Sequence, residues 1–424
     1  MGTKPIILGA GVAGISAGYH LKKKGVDSVI FEKDADWGGL CGNFTIDGFR
    51  FDRFVHFTFT KNEYVKNIFE QSSPTYSHPS VSSNYYQGKW LKHPAQNNLA
   101  PLSTDEKVKI IEDFINRPKI EFSEIKDYEQ WLRVQYGNYF AENFPFRYTR
   151  KYWGVEPREL ETRWVGQRMH SPDIDEVLRG AFETQDKVFY YTNFMRYPKK
   201  GGFRSILNSS REGLDIRFNK EVVEIIPEYK KVIFSDGTAE EYSELISSLP
   251  LPEITKYIKN CPADIAAESE KLRYTSGYMV SLGFIRPDVA KHLWFYIYDE
   301  DIPPARVYSP NLKSEDNVPS GCSSLQAEIF FSNGSSIPYA NDVLNKTVCS
   351  LEKMGLFNKS EIIVKDIRFE KYANIIFDQN IYVAREKIIN YLIKMKIKSI
   401  GRFGKWDYLW SDQSFLTGNL SSGN

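Results

Sequence analysis

The stretch that most restricts the fold is the first forty residues. A short apolar run, Pro5-Ile6-Ile7-Leu8, leads into Gly9-Ala10-Gly11-Val12-Ala13-Gly14. The spacing predicts a helix from there to about Lys24 and a second strand, Val29-Ile30-Phe31, ending at Glu32; Gly38-Gly39 follows six residues later. This is the pattern of a dinucleotide-binding βαβ unit. Gly9 permits the tight turn, Gly11 lets a pyrophosphate approach the backbone, Gly14 allows helix and strand to pack closely, and the helix N-terminus offers amide donors. An ordinary glycine-rich turn is the competing reading. The flanking strand and helix, and an acid placed to accept ribose hydroxyls, favour the nucleotide. The second glycine pair then favours FAD over NAD, and the expected cofactor contacts here are Gly9, Gly11, Ala13, Gly14, Glu32, Lys33, Gly38, Gly39 and Leu40.

A chain of 424 residues is long for one hydrophobic core, so two or three lobes are expected. Net charge is +1 with both signs interspersed, which gives no footprint for nucleic acid or an anionic membrane. Any bound phosphate must be met by local arginines. Cys41, Cys261, Cys322 and Cys349 are far apart and show no metal-ligand spacing with the histidines, so no metal site is expected and a reduced, cytoplasmic setting fits. No apolar run reaches membrane-spanning length, so membrane insertion is not expected.

The fold class expected is α/β: a Rossmann-like FAD-binding lobe, a helical lobe, and a mixed or antiparallel sheet lobe for substrate. Residues 1–60, 187–252 and 376–424 are assigned to the first, 101–186 to the second, and 61–100 with 253–375 to the third. Asn84 to Leu91 reads as two strands around Gln87-Gly88. Ser103 and Glu106 form a capping box, and Val108, Ile111 and Ile115 continue one helical face. A helix carrying Tyr128, Trp131 and Leu132 stops near Gly137, and the chain stays helical and aromatic to about Ala181, Trp164 to Arg168 included. Alternating segments at 279–284, 293–298 and 325–331 predict a sheet that roofs the flavin. Residues 399–408 read as a buried strand opening into a glycine-bounded turn. Read alone, His56 is as readily structural as flavin-facing, Trp153 is more readily core, and Arg168 more readily a surface charge.

Taken together, these pieces resemble the UDP-galactopyranose mutase family, its eukaryote-like branch above all. The resemblance covers nearly the whole chain. It is carried by the Trp90 to Asn98 loop, Trp153-Gly154, Trp164 to Arg168, the approach to Arg306, and Gly401-Arg402-Phe403-Gly404 with Trp406 and Tyr408. It implies an FAD that must be reduced, by NADPH or NADH, and whose N5 attacks the anomeric carbon of a nucleotide-diphosphate sugar; the ring is exchanged between pyranose and furanose without net redox change. By the same resemblance Arg168 and Arg306 neutralise the diphosphate, and His56 contacts the flavin. Phe59, His93, Gln96, Thr149, Trp153, Tyr296 and Tyr408 form the substrate pocket, and Val223, Gly401, Arg402 and Asp412 add to the cofactor contacts. A homo-oligomer is compatible with it.

The sequence departs from the family pattern at several of these positions. Phe54-Val55 stands where the family has Gly-Gly before the histidine, His93 where a tyrosine packs on uracil, Thr149 for an asparagine, and Ala373 for a phosphate-binding tyrosine. The competing enzyme class is an FAD-dependent oxidoreductase resembling amine oxidases or protoporphyrinogen oxidase. A non-catalytic nucleotide-sugar binder is the third reading.

Overall fold

The computed structural model describes residues 3–166, 168–189 and 192–419. Lys4–Leu8 is a central strand, flanked in parallel by Val29–Phe31 on one side and Ala239–Ser247 on the other. A strand covered on both faces is a continuous apolar run, and Ile6, Ile7 and Leu8 are all buried. Asp215–Arg217 extends the parallel set beyond Val29–Phe31, and Ile397–Ser399 pairs with Ala239–Ser247. Val222–Ile226 and Lys231–Phe234 complete this sheet as an antiparallel edge. Helix Val12–Lys23 packs on it, and helix Ser411–Thr417 closes over that helix so tightly that a Cβ on Gly418 would stand 2.6 Å from the Ala17 nitrogen.

The second sheet has seven strands. In spatial order they are Ile362–Ile375, Tyr274–Phe284, Ser323–Ser332, Arg306–Tyr308, Trp294–Ile297, Ser83–Tyr86 and Lys89–Lys92. Only Trp294–Ile297 with Ser83–Tyr86 is parallel, so the sheet is mixed. One register line crosses it as Leu91, Asn84, Tyr296, Arg306, Glu328, Met279 and Arg368. The other face is covered by helix Ala340–Lys353, through Val343, Leu344, Val348 and Leu351. Coverage on both faces explains why Tyr274–Phe284 is buried almost throughout and starts before the alternating segment expected at 279.

The helical part comprises Thr104–Ile115, Tyr128–Tyr136, Asn138–Asn143, Pro145–Trp153 and Ile174–Phe182. The Ser103–Glu106 capping box is present, and Gly137 ends its helix at φ +80°. The overall class is thus a mixed α/β fold.

Four local expectations are corrected. On Thr104–Ile115 the core face is Ile110 and Phe114, whereas Val108 and Ile115 are each 56 % exposed, because the bulkier i, i+4 pair wins the buried side. Helix Glu63–Ser72 packs Val65, Ile68 and Phe69 into the nucleotide-sheet core, and Thr75–Pro79 pairs with Phe194–Pro198, so the substrate sheet begins at Ser83 rather than 61. Residues from Trp164 to Arg168 are turns rather than helix, with Gln167 outside the described residues. The strand at the C-terminal end stops at Ser399, and Gly401–Gly404 is a helical turn started by Gly401 at φ +78°.

Candidate active site

One cavity of about 1780 Å³ runs between the two sheets and the helical part. That is well above the roughly 300–1,000 Å³ usual for one small ligand, so there is room for a cofactor and a second molecule. One end is the βαβ cradle. Gly9 has φ +95°, and a Cβ on Gly14 would come within 1.9 Å of the Gly9 carbonyl, which is why helix and strand can meet only with glycine there. Gly11 is different: its Cβ would meet only the Gly39 Cα, at 3.8 Å, because it faces the cavity. The Gly38 amide donates to the Ala10 carbonyl at 2.9 Å, setting the second glycine turn backbone to backbone against the first. No side chain caps the helix that starts at Val12, so its first amides are left for a ligand anion.

Glu32 is buried at the end of its strand and accepts from the amides of Ala10 (2.7 Å) and Asp34 (3.1 Å). Burial raises its pKa, opposed by these two amides, and each oxygen retains a lone pair for ribose hydroxyls. Ala13, Lys33, Gly38, Gly39 and Leu40 line the same end. Gly401 lies over the first helical turn, where a Cβ would stand 2.7 Å from that of Ala13. Arg402 continues the wall; its Nη2 donates to Asn374 Oδ1 (3.3 Å), while its buried Nε has no hydrogen-bond partner. Orphan amides at the helix start, an unsatisfied guanidinium nitrogen and a buried acid on adjacent walls fit a dinucleotide that carries a pyrophosphate. Two expected contacts lie elsewhere. Strand alternation turns the Val223 side chain outward, 46 % exposed, and puts Val222 at the cavity. Asp412 sits in the first turn of its helix, whose cavity-facing residues are Ser411 and Ser414.

Beyond the cradle the chain turns through Phe54, Val55 and His56. Phe54 has φ +62°, a conformation costly for a bulky side chain. It is held by stacking on Phe330 (5.7 Å between ring centroids) and by space left at Gly277, where a Cβ would be 3.1 Å from both rings. The Val55 amide donates to Glu328 Oε1 at 2.7 Å, and Arg306 donates to Glu328 Oε2 through Nε at 2.8 Å and through Nη2. Glu328 is fully buried, so it fixes both the turn and the direction of the Arg306 guanidinium. His56 stacks on Phe203, with Nδ1 3.2 Å from the Phe54 carbonyl. Burial lowers its pKa to about 4, opposed by Asp52, so at neutral pH the ring is neutral, Nδ1 is the donor, and Nε2 is an acceptor.

Helix Pro145–Trp153 presents Pro145, Tyr148, Thr149, Tyr152 and Trp153 to the cavity, the i, i+3, i+4 stripe of one face. Trp153 packs edge-on against Trp164 (4.8 Å), and its buried indole Nε1 has no acceptor. Tyr152 donates to Asn374 at 3.0 Å. Arg168 lies over the rings of Tyr408 (4.4 Å) and Trp410 (5.1 Å), and donates to the Trp164 and Tyr408 carbonyls. Phe59 meets Trp410 edge-on at 4.6 Å. At the far end, Gln96 donates to the His170 carbonyl (3.2 Å), and His93 packs on Tyr296 (4.9 Å) with Nδ1 3.2 Å from Asn84 Oδ1. Burial lowers the His93 pKa to about 4. Ala373 also lines the wall.

His56, Phe59, His93, Gln96, Thr149, Trp153, Arg168, Tyr296, Arg306 and Tyr408 therefore all line one cavity. Sequence reasoning missed Glu328 and Asn374. Glu328 carried a signal: with Gln326 it places polar side chains on alternate positions of the otherwise apolar stretch 325–331 of strand Ser323–Ser332.

The family model for flavin-containing amine oxidoreductases matches residues 12–340, most of the chain. The protein belongs to the flavin-containing amine oxidoreductase family. Membership implies a flavin cofactor, which the cradle fits. Among solved structures, a reduced UDP-galactopyranose mutase superposes with a TM-score of 0.91 at 24 % identity, over 99 % of this chain and 94 % of that one. A putrescine oxidase with bound putrescine gives 0.65 at 14 % identity (98 % and 97 %). A fatty acid isomerase from P. acnes that produces CLA gives 0.64 at 12 % (98 % and 97 %). At these identities the likeness establishes the fold alone, one that these oxidases and isomerases have in common. Curated relatives match only locally. A 1-hydroxycarotenoid 3,4-desaturase from Flavobacterium sp. (strain P99-3) is 45 % identical over 49 residues, and a zeta-carotene-forming phytoene desaturase from Myxococcus xanthus 39 % over 51. Each match covers 12 % of this chain and spans about a tenth of the relative's length.

Proposed function

We propose that this flavoenzyme is a nucleotide-sugar mutase that interconverts pyranose and furanose rings, with FAD held in its reduced form and NADPH or NADH as reductant. The observation that carries the reading is the pair Arg168 and Arg306 in the cavity that also contains the dinucleotide cradle. Two guanidiniums in a largely buried site suit a diphosphate, which needs planar, permanently charged donors. Bound reduced flavin supplies a nucleophilic nitrogen and needs no net electron transfer.

The chain's own residues divide the remaining work. Arg306, aimed by Glu328, and Arg168, held between Tyr408 and Trp410, take up charge on the departing diphosphate. The unpaired Trp153 N–H and the Tyr296 phenol offer donors to sugar oxygens. Neutral His56 offers an acceptor on the turn beside the cofactor, without adding positive charge that would compete with the arginines. Gln96, Thr149, Phe59 and the His93–Tyr296 pair line the substrate region, and His93 in place of a phenol favours a base other than uracil.

Family membership favours the second reading, an amine-type FAD oxidoreductase, since oxidases share the fold. Anaerobic titration of the dithionite-reduced protein with UDP, dTDP and GDP sugars tests the first. Saturable, arginine-dependent binding of at least one is expected, with UDP not the tightest. A clear UDP preference refutes the base assignment, and no binding by any refutes the substrate class.

A further inference from the structure

Asp52 and Lys313 lie beneath the His56 turn and are essentially inaccessible, at 1 % and 0 % side-chain exposure. Asp52 ends the strand Phe49–Asp52, four residues before His56. Its Oδ2 accepts from Lys313 Nζ (2.5 Å) and from the Tyr197 hydroxyl (2.7 Å), and its Oδ1 accepts from the Phe203 amide (3.0 Å). The Lys313 ammonium also faces the rings of Tyr197 (4.5 Å), Tyr308 (4.7 Å) and Phe57 (5.8 Å). Phe203 is the ring on which His56 stacks. Asp52 therefore belongs to both supports of His56, lying on the chain that leads into it and holding the backbone of Phe203, and Lys313 neutralises it there.

We propose that Asp52 and Lys313 are positioning residues for His56, a buried ion pair that fixes the turn and sets the charge felt at the flavin face. A buried lysine is costly unless paired, and an apolar side chain of the same length would fill the site with less desolvation. A role for the charge itself accounts for its presence. The titratable groups around the turn are Asp52, Lys313, Cys41, His78, Tyr197, Tyr308, Arg306 and Glu328; Glu328 holds the turn from the Arg306 side through the Val55 amide, and Asp52, with Lys313 bonded to it, holds it from below.

The two charges act on His56 and on the flavin with opposite sign, which separates electrostatics from packing. Lys313→Met leaves the Asp52 carboxylate bonded to Tyr197 and Phe203 with no cation. The His56 pKa then rises by about one unit and the flavin becomes harder to reduce. Asp52→Asn leaves the ammonium in its aromatic cage, so the His56 pKa falls and the flavin becomes easier to reduce. The double variant returns both quantities towards those of the parent. The measurements are an NMR titration of His56 and a dye-linked reduction potential of the holoprotein. The potential rests on the flavin reading. The histidine titration does not, so a protein that bound no flavin would fail that reading and still decide this one. Should Lys313→Met not fold, the Asp52→Asn and double variants give the same sign test. Shifts in the same direction for both single variants, no shift, or a double variant that does not return would overturn the proposal.

Discussion

Arg306 shows how a single side chain is prepared for work. Its guanidinium is directed by Glu328, which is itself pinned to the Val55 amide. Arg306→Ala should weaken nucleotide-diphosphate binding by about 2–5 kcal/mol. Flavin content should be unchanged, as calorimetry and the visible spectrum of the same sample would show; unweakened binding would make the arginine structural. Glu328→Gln should also destabilise the fold, by about 3–5 kcal/mol in urea, because it leaves the arginine without its buried counter-charge. His56 and His93 give a pH signature. Their folded pKa values, about 4, lie below the unfolded 6.5, so between pH 6.5 and 4 the unfolded chain takes up protons that the folded one refuses. Stability should therefore rise with pH across that window, by at most about 3 kcal/mol per ring, and level off above pH 7. Thermal melts from pH 4 to 7.5 would show it, and His93→Gln should reduce the slope. A slope that His93→Gln leaves unaltered would mean that the fold does not lower the pKa of this ring.

Among the elements, the glycine turns allow the sharpest comparison. A Cβ at Gly11 has space within the protein and enters only the cavity, whereas one at Gly14 collides with the Gly9 carbonyl. Gly11→Val should give a folded protein that has lost its flavin, and Gly14→Val one that does not fold, distinguishable by circular dichroism and absorbance at 450 nm. A folded Gly11→Val protein that keeps full flavin contradicts the cradle assignment. The nucleotide end was legible in the sequence because glycine spacing and a strand-terminal acid are local signals. The Ser103–Glu106 cap and the Gln87-Gly88 turn were legible for the same reason. Glu328 stood out in sequence only as a polar residue in an apolar stretch, and its partner was hidden because the pairing depends on a register line across strands distant in sequence; Val223 was misplaced because one residue reverses the face of a strand. The outward face of Thr104–Ile115 was misread because periodicity gives a stripe, and the depth of packing decides which stripe is buried.

For the whole molecule, the chain crosses between its two seven-stranded sheets several times. The cavity wall draws on residues from Leu8 to Ser414, so no continuous segment contains the site. That is why the residues at the substrate end were reached through a family resemblance, while the cradle could be derived from its own spacing. The fold itself is shared with oxidases, and only the chemistry of the reduced and oxidised protein separates the two functions. The decisive measurement is anaerobic turnover of a nucleotide-sugar panel by the fully reduced enzyme, with product and reductant quantified together. A mutase gives furanose–pyranose exchange over many turnovers per flavin, with no reductant consumed in proportion to product and no activity from oxidised enzyme. Oxidised enzyme that turns over an amine with one hydrogen peroxide per product, while reduced enzyme isomerises no sugar nucleotide, would contradict the mutase reading.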